Sequence, residues 1–266
     1  MSDDFQADLE LALRLADAAD AISLPRFGAA DLKVTAKPDL TPVSDADLAV
    51  ERAIRSVLSI DRPDDAIGGE EFGDTGIGAS TPRRRWVLDP IDGTKNFVRG
   101  VPVWATLIAL FDGDDAVVGV VSAPALSRRW WAATGGGAFT RLGNQEPRQC
   151  AVSGVVELAD ASLSFSELAE WGAAGQEAGF FELCRSCWRT RAYGDFYSYM
   201  LVAEGAVDIA TEPELSLWDV AALIPIVTES GGLLTTIDGQ PSGGTVRSAL
   251  ATNGLLHNQA QLLLNR

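Results

Sequence analysis

The stretch Trp86-Val87-Leu88-Asp89-Pro90-Ile91-Asp92-Gly93-Thr94 constrains this chain more than any other. An apolar strand there delivers two carboxylates into a turn, with only a proline and an isoleucine between them. Pro90 holds Asp89 extended and offers no backbone donor. Chain reversal brings both acids toward one point, where they repel unless one protonates or a cation neutralises them. Magnesium suits such an all-oxygen set. It takes octahedral geometry, keeps waters, and binds one or two carboxylates together with a phosphate. The Ile91 carbonyl offers one more oxygen. Gly93 and Thr94 offer backbone N–H groups, which at a helix start form an anion site. The plainer alternative makes Asp89, Asp92 and Thr94 turn and capping residues. Asp219, after Trp218, likewise reads on its own as a cap or dipole partner at a helix start. Gly69-Glu70-Glu71 lies in a glycine-flanked loop.

Hydrophobic periodicity predicts a helix from about Phe5 to Phe27 and extended loop over Lys37 to Val43. A second helix starts at Ser44, with Ser44 and Asp47 as its capping pair. Strands follow at Arg85–Asp89, Ala105–Phe111, Ala116–Ala123 and Arg129–Ala133, the middle two joined in a hairpin across Asp112-Gly113-Asp114. Gly135 to Gly137 reads as a turn, not a phosphate loop. The second half alternates: strand Ala161–Phe165, a helix to Cys184, strand Trp188–Ala192, helix Asp195–Glu204 and strand Val207–Ala210. A helix from Ser216 to Ser230, strands Leu233–Ile237 and Leu250–Thr252, and a last helix complete it. This predicts an α+β half (1–150) carrying Glu70, Asp89, Asp92 and Thr94, then an α/β half (151–266) carrying Asp219 and the specificity residues.

The 266 residues, 47% of them hydrophobic, suffice for one large domain or two closely packed halves. The formal charge of -16 repels nucleic acid and anionic lipid at long range. It leaves room for an anionic substrate, because bound metal inverts the local sign. The apolar runs are too short to span a bilayer, and the start Met1-Ser2-Asp3-Asp4 lacks the basic, apolar pattern of a signal peptide. The expectation is a soluble, cytoplasmic protein without nucleic-acid or membrane partners. Cys184 and Cys187 have C-x-x-C spacing but no second ligand pair for zinc, and His257 is the single histidine. All three read as structural.

Three motifs together resemble the inositol monophosphatase family: Gly69-Glu70-Glu71, the run Trp86 to Phe97, and Leu217-Trp218-Asp219 followed by Thr228 to Gly232. Their order and spacing cover nearly the whole chain. The resemblance implies a layered αβαβα sandwich of the inositol monophosphatase and fructose-bisphosphatase type, a homodimer, and two or three Mg2+ ions. It implies Glu70, Asp89, Asp92, Asp219 and the Ile91 carbonyl as metal ligands. Asp45 and Thr94, with Glu70, are implied to activate the attacking water, and Gly93 and Thr94 to hold phosphate. The reaction implied is phosphomonoester hydrolysis by direct attack of a metal-activated water. Lys37–Asp47, Asn96–Ala105, Ser122–Ala133 and Arg191–Ile209 resemble the histidinol-phosphate phosphatase branch. Lys95, Arg99 and Asp195 depart from the inositol-phosphatase pattern.

Histidinol phosphate carries an amine and an imidazole, which Asp195 and Glu212 could face. Asp195 also reads as a helix cap, and Arg191 as either a substrate contact or an ion-pair partner. The same chemistry on inositol phosphate, a sugar bisphosphate or a 3'-phosphonucleotide is the alternative. A non-catalytic metal- or phosphate-binding regulatory protein would carry a broken acidic set, and this set is complete.

Overall fold

The computed structural model describes residues 5–38, 40–76, 83–241 and 247–266. In chain order the elements are α1 (Gln6–Arg26), β1 (Val34–Ala36), β2 (Pro42–Ser44), α2 (Asp45–Asp61), β3 (Ala66–Gly69), β4 (Arg84–Asp92), α3 (Thr94–Arg99), β5 (Ala105–Asp112), β6 (Asp115–Ala123), β7 (Arg128–Ala133), β8 (Ala138–Leu142) and β9 (Arg148–Gln149). There follow β10 (Ser162–Ser164), α4 (Leu168–Ala173), α5 (Glu177–Ser186), β11 (Arg189–Arg191), α6 (Asp195–Ala203), β12 (Ile209–Glu212), α7 (Leu217–Val220), α8 (Leu223–Glu229), β13 (Leu233–Thr235), β14 (Ala249–Thr252) and α9 (His257–Leu264).

Strands β3 to β9 form a seven-stranded sheet in sequence order, parallel only between β3 and β4. A five-stranded sheet has the order β11-β10-β12-β14-β13. Alternation along the strands explains the layers. Trp86, Leu88, Ile108, Leu110 and Val118 face α1 and α2. Val87, Leu107, Ala109, Phe111 and Val121 point the other way, into a core shared with Phe196, Met200, Ile226 and Val227 of α6 and α8. In the second sheet Ala210, Ala249 and Ala251 join that shared core, while Ile209 and Leu250 face α5 and α9 with Phe180 and Leu183. With side chains alternating across each sheet, the result is the expected αβαβα stack.

The Ser44–Asp47 capping box is present at α2, and the β5–β6 hairpin closes at Asp112 opposite Asp115. The turn Gly135–Gly137 gives its Gly135 and Gly137 amides to the Glu229 carboxylate at 2.9 and 2.8 Å, so its anion is internal. Several elements differ from the sequence expectation. Of the loop expected over Lys37 to Val43, Pro42 and Val43 join β2, which pairs antiparallel with β1 just before the loop. The helix expected to reach Cys184 divides into α4 and α5 around Gly175, whose φ of +71° is left-handed. The helix expected from Ser216 to Ser230 divides into α7 and α8, because Pro225 cannot donate back into the preceding turn. Strand β3, Ala66-Ile67-Gly68-Gly69, carries too little apolar patterning to be read alone.

The described cysteines are free thiols, and burial pushes Cys184 up to about 11 and Cys187 up to about 12, which suits packing rather than redox chemistry. His257 is buried between the hydroxyls of Thr235 and Thr252, and desolvation lowers its pKa. No described helix is long and apolar enough to cross a membrane.

Gly119 of β6 is where the seven-stranded sheet meets α8. A Cβ there would lie 2.2 Å from the Ala222 carbonyl oxygen and 2.7 Å from Pro225. Gly119→Ala should therefore lower the unfolding free energy by about 1–3 kcal/mol, read from the urea midpoint. An unchanged midpoint would mean that α8 yields freely at this contact.

Candidate active site

A regular strand would send Asp89 and Asp92, three residues apart, to opposite faces. Strand β4 does not stay regular. Asp89 pairs with Leu107 while Asp92 pairs with Ala105, so three steps on β4 match two on β5. The extra residue is accommodated at Pro90, whose carbonyl accepts the Thr106 hydroxyl at 2.8 Å. The bulge turns both carboxylates to one side. Asp219 arrives from α7, its Oδ2 held by the Ser216 amide at 2.6 Å. Carboxylate oxygens of Asp89, Asp92 and Asp219 all lie within 4.8 Å of one another.

Burial is the largest force on these acids. It raises Asp89 and Asp92 well above the carboxylate range, with Glu70 and Asp92 adding to the first, Asp195 and Asp219 to the second. Burial likewise takes Asp219 up to about 6. Such a set is held at a cost that a divalent cation removes, and its donors are all hard oxygens. The residues fit a metal. Glu70 follows β3 and feels Asp219 and Asp47, but its Oε1 is taken by the Lys37 ammonium at 2.7 Å. Lys37 also holds Glu71 at 2.6 Å; burial opposes its charge, yet these two partners keep its pKa above the ordinary lysine value. Behind them, buried Glu51 accepts the Glu71 and Phe72 amides at 2.8 and 3.2 Å and fixes the turn.

Beyond Asp92, Gly93 turns the chain into α3 with φ +80°, and a Cβ there would meet the Val103 carbonyl at 2.9 Å. Gly93 and Thr94 line a cleft of about 550 Å³ that also contains Glu70, Asp195 and Asp219. A larger groove of about 1000 Å³ lies on the far side of Ser216 and Trp218, bordered by Arg85 and Arg247, and contains none of the acidic centre.

The hydroxyl of Thr94 reaches the Ile91 carbonyl at 2.9 Å and Asp47 Oδ1 at 3.3 Å. This corrects the expectation for Asp45. Asp45 lies at the first position of α2 and pairs outward with Arg26 at 2.9 Å. Asp47, two residues on and fully buried, turns inward beneath Thr94. Its other oxygen accepts the Ser44 hydroxyl at 2.5 Å and the Ser44 amide at 2.8 Å. Sequence reading assigned Asp47 to capping alone, and it does both.

Asp195 opens α6 at φ +48° with Gly194 at the N-cap, so it is not the cap. Its carboxylate accepts from Asn96 at 2.9 Å, and burial raises it to about 6. Glu212 accepts the Ser166 hydroxyl at 2.7 Å and is pushed by burial to about 8. The Phe196 amide donates to Asp92 Oδ2 at 2.8 Å, tying α6 to the acidic centre. Arg191 is exposed on edge strand β11, donates to the Thr190 carbonyl and does not line the cleft. Among the described residues it has no ion-pair partner, and it is not the cleft contact expected. Lys37, Asn96 and Ser166 carry no site role in the sequence reading because each is unremarkable until the fold closes.

Fold and site together fit a phosphomonoesterase whose three clustered carboxylates could hold a metal ion. The model of the inositol monophosphatase family matches residues 4–265, and the chain belongs to that family of phosphoric monoester hydrolases. A histidinol-phosphatase of Mycobacterium tuberculosis is 58% identical over 97% of this chain and 98% of its own. One from Streptomyces coelicolor is 56% identical over 99% and 98%. Among solved structures, an inositol monophosphatase from Zymomonas mobilis superposes with a TM-score of 0.85 at 31% identity, covering 98% of this chain and 99% of that one.

Two outcomes follow from this geometry. Asp47→Asn should cut kcat on the order of a hundredfold or more, as loss of a proton acceptor does. Asp45→Asn, which loses only a part-exposed ion pair, should stay within about twofold. Comparable losses in both would restore Asp45 to the site. The second concerns pH. Asp195 and Glu212 are raised by burial to about 6 and about 8, from 3.8 and 4.5, so protonation favours the folded state. The metal-free protein should lose thermal stability as pH climbs from about 4 to about 8, over the window these shifts span. A melting temperature that rises across that window contradicts the assigned burial.

Proposed function

We propose that the protein hydrolyses histidinol phosphate to histidinol and phosphate with magnesium as its metal. The observation that carries the substrate is the acidic wall of Asp195 and Glu212 beside the metal-binding carboxylates. Such a wall attracts an ammonium or imidazolium group and gives inositol or sugar hydroxyls no comparable charge. The names of the two bacterial relatives support the same reading. With it go a homodimeric assembly and a cytoplasmic location.

In this reading Glu70, Asp89, Asp92, Asp219 and the Ile91 carbonyl hold magnesium, as two or three ions. Bound magnesium supplies positive charge to the phosphoryl oxygens and the leaving alkoxide, and makes the attacking water more acidic. The chain's own residues do the rest. The Gly93 and Thr94 amides, at the start of α3, bind the phosphate oxygens. The Thr94 hydroxyl, 2.9 Å from the Ile91 carbonyl and 3.3 Å from Asp47, donates its hydrogen bond to Asp47 once the Ile91 carbonyl serves the metal, and keeps its lone pairs to orient the water. Asp47 accepts the proton that the water gives up through Thr94, while the Ser44 hydroxyl and amide keep its other oxygen from turning. Lys37 neutralises Glu70 and Glu71 in the metal-free protein and releases Glu70 when the metal competes for it.

A substrate panel tests this. With magnesium, kcat/KM for histidinol phosphate should exceed that for inositol 1-phosphate by at least about tenfold. Excess chelator should abolish turnover of both, and Asp89→Asn should do the same while its unfolding transition remains cooperative. Preference for inositol phosphate, or phosphate release that survives the chelator, overturns the reading.

A further inference from the structure

We propose that Glu170 and Tyr199 complete a pocket for the substrate's ammonium group and so select amine-bearing phosphate esters. The inference rests on the amine-phosphate reading above and adds two residues to it. A cavity of about 180 Å³ adjoins the acidic centre, with Asp92 and Asp219 at one wall and Glu170 and Glu212 among the others. Ser166, Glu170, Asp195 and Asp219 line both this cavity and the larger cleft. A molecule whose phosphate lies in the cleft can therefore present its other end here.

The groups around this cavity are unequally engaged. Asp195 already accepts from Asn96, and Glu212 from Ser166. Glu170, in the first turn of α4 and half-buried, has no side-chain hydrogen bond among the described residues. The Tyr199 hydroxyl belongs to a side chain only 1% exposed and has no hydrogen-bond partner among the described residues. Burial, and then the neighbouring Glu212 carboxylate, press hardest on this hydroxyl and raise its pKa. A buried hydroxyl left unpaired costs stability, and a bound ligand that pairs it removes the cost. An alkylammonium offers three donors, which match the Glu170 and Glu212 carboxylates and the Tyr199 oxygen as acceptors. A phosphate would be repelled by the same walls, and a neutral hydroxyl would leave the carboxylates uncompensated.

Calorimetric titration of the magnesium-loaded protein with histidinol, and separately with inorganic phosphate, tests the pocket. Glu170→Gln and Tyr199→Phe should each weaken histidinol binding roughly ten- to a hundredfold, the loss expected of a charge-assisted hydrogen bond. Phosphate affinity should stay where it stands. Tyr199→Phe should also leave the melting temperature of the ligand-free protein unchanged or higher, whereas removal of a structural hydroxyl would lower it. Histidinol affinity untouched in both variants, or phosphate affinity falling in step, overturns the pocket. Turnover of histidinol phosphate by the unaltered protein separates the two claims. Normal turnover with variants that bind histidinol as before removes the pocket alone. Histidinol binding that the variants lose, without hydrolysis of the ester, removes the underlying reading alone.

Discussion

Mutual repulsion among buried carboxylates governs this molecule. Asp89, Asp92 and Asp219 crowd into one space, with Glu70 close enough to raise Asp89 further. At the dielectric of a protein interior, like charges at such separations cannot all stay ionised without a counter-charge. The surrounding structure reads as a set of responses to that demand. A bulge at Pro90 aims two acids the same way. Lys37 reaches in from the loop after β1 to hold Glu70 and Glu71. The Phe196 amide gives Asp92 a hydrogen bond from the opposite half of the molecule. None of these removes the charge excess, which is why the centre suits a divalent cation.

Two of the inward carboxylates are positioned by the same local device. Asp47 is the third helical residue after Ser44, and Asp219 the third after Ser216, and both close capping boxes. In each case one oxygen is occupied by the serine amide, at 2.8 Å for Asp47 and 2.6 Å for Asp219. A carboxylate anchored at one oxygen cannot rotate freely, so the other oxygen faces the site in a fixed direction. Capping and site geometry are thus not rival explanations for these residues. The cap supplies the rigidity on which the site depends.

This overlap also explains what could be read from the sequence. The apolar alternation of β4 to β7 and the Ser44 helix start emerged directly, because local pattern and tertiary burial agree there. Asp89 and Asp92 stood out because the run from Trp86 to Phe97 is dense in chemistry, whereas Glu70 and Asp219 entered through the family resemblance. Asp47 did neither, because its capping role accounted for it, and the family resemblance was carried onto Asp45, two residues before it. Only α2's rotation about its axis, set by packing of Val50, Ile54 and Leu58 against the sheet, decides which of the two points inward. Similarly, the Ser166 hydroxyl accepts from the Asp195 amide at 2.8 Å and donates to Glu212 at 2.7 Å, linking three segments distant in sequence. Local periodicity carries no trace of such a link.

The division of labour between the two sheets follows from the same contacts. Glu70, Asp89, Asp92 and Thr94 come from the seven-stranded sheet and its turns, whereas Ser166, Asp195 and Glu212 border the five-stranded one. On the proposed reading, chemistry and recognition are built on separate sheets that share a core and are joined at the site by Asp219 within the acidic cluster, the Phe196 amide on Asp92 and the Asn96 amide on Asp195. The Phe196 amide on Asp92 couples the two sides in both directions, since a shift of either pulls on the other and on the start of α6, where Asp195 stands at a left-handed φ of +48°. That residue is held there by the Ser166 oxygen on its amide and Asn96 on its carboxylate, while its neighbour Phe196 is tied to Asp92, so the start of α6 is fixed from both sides of the cleft.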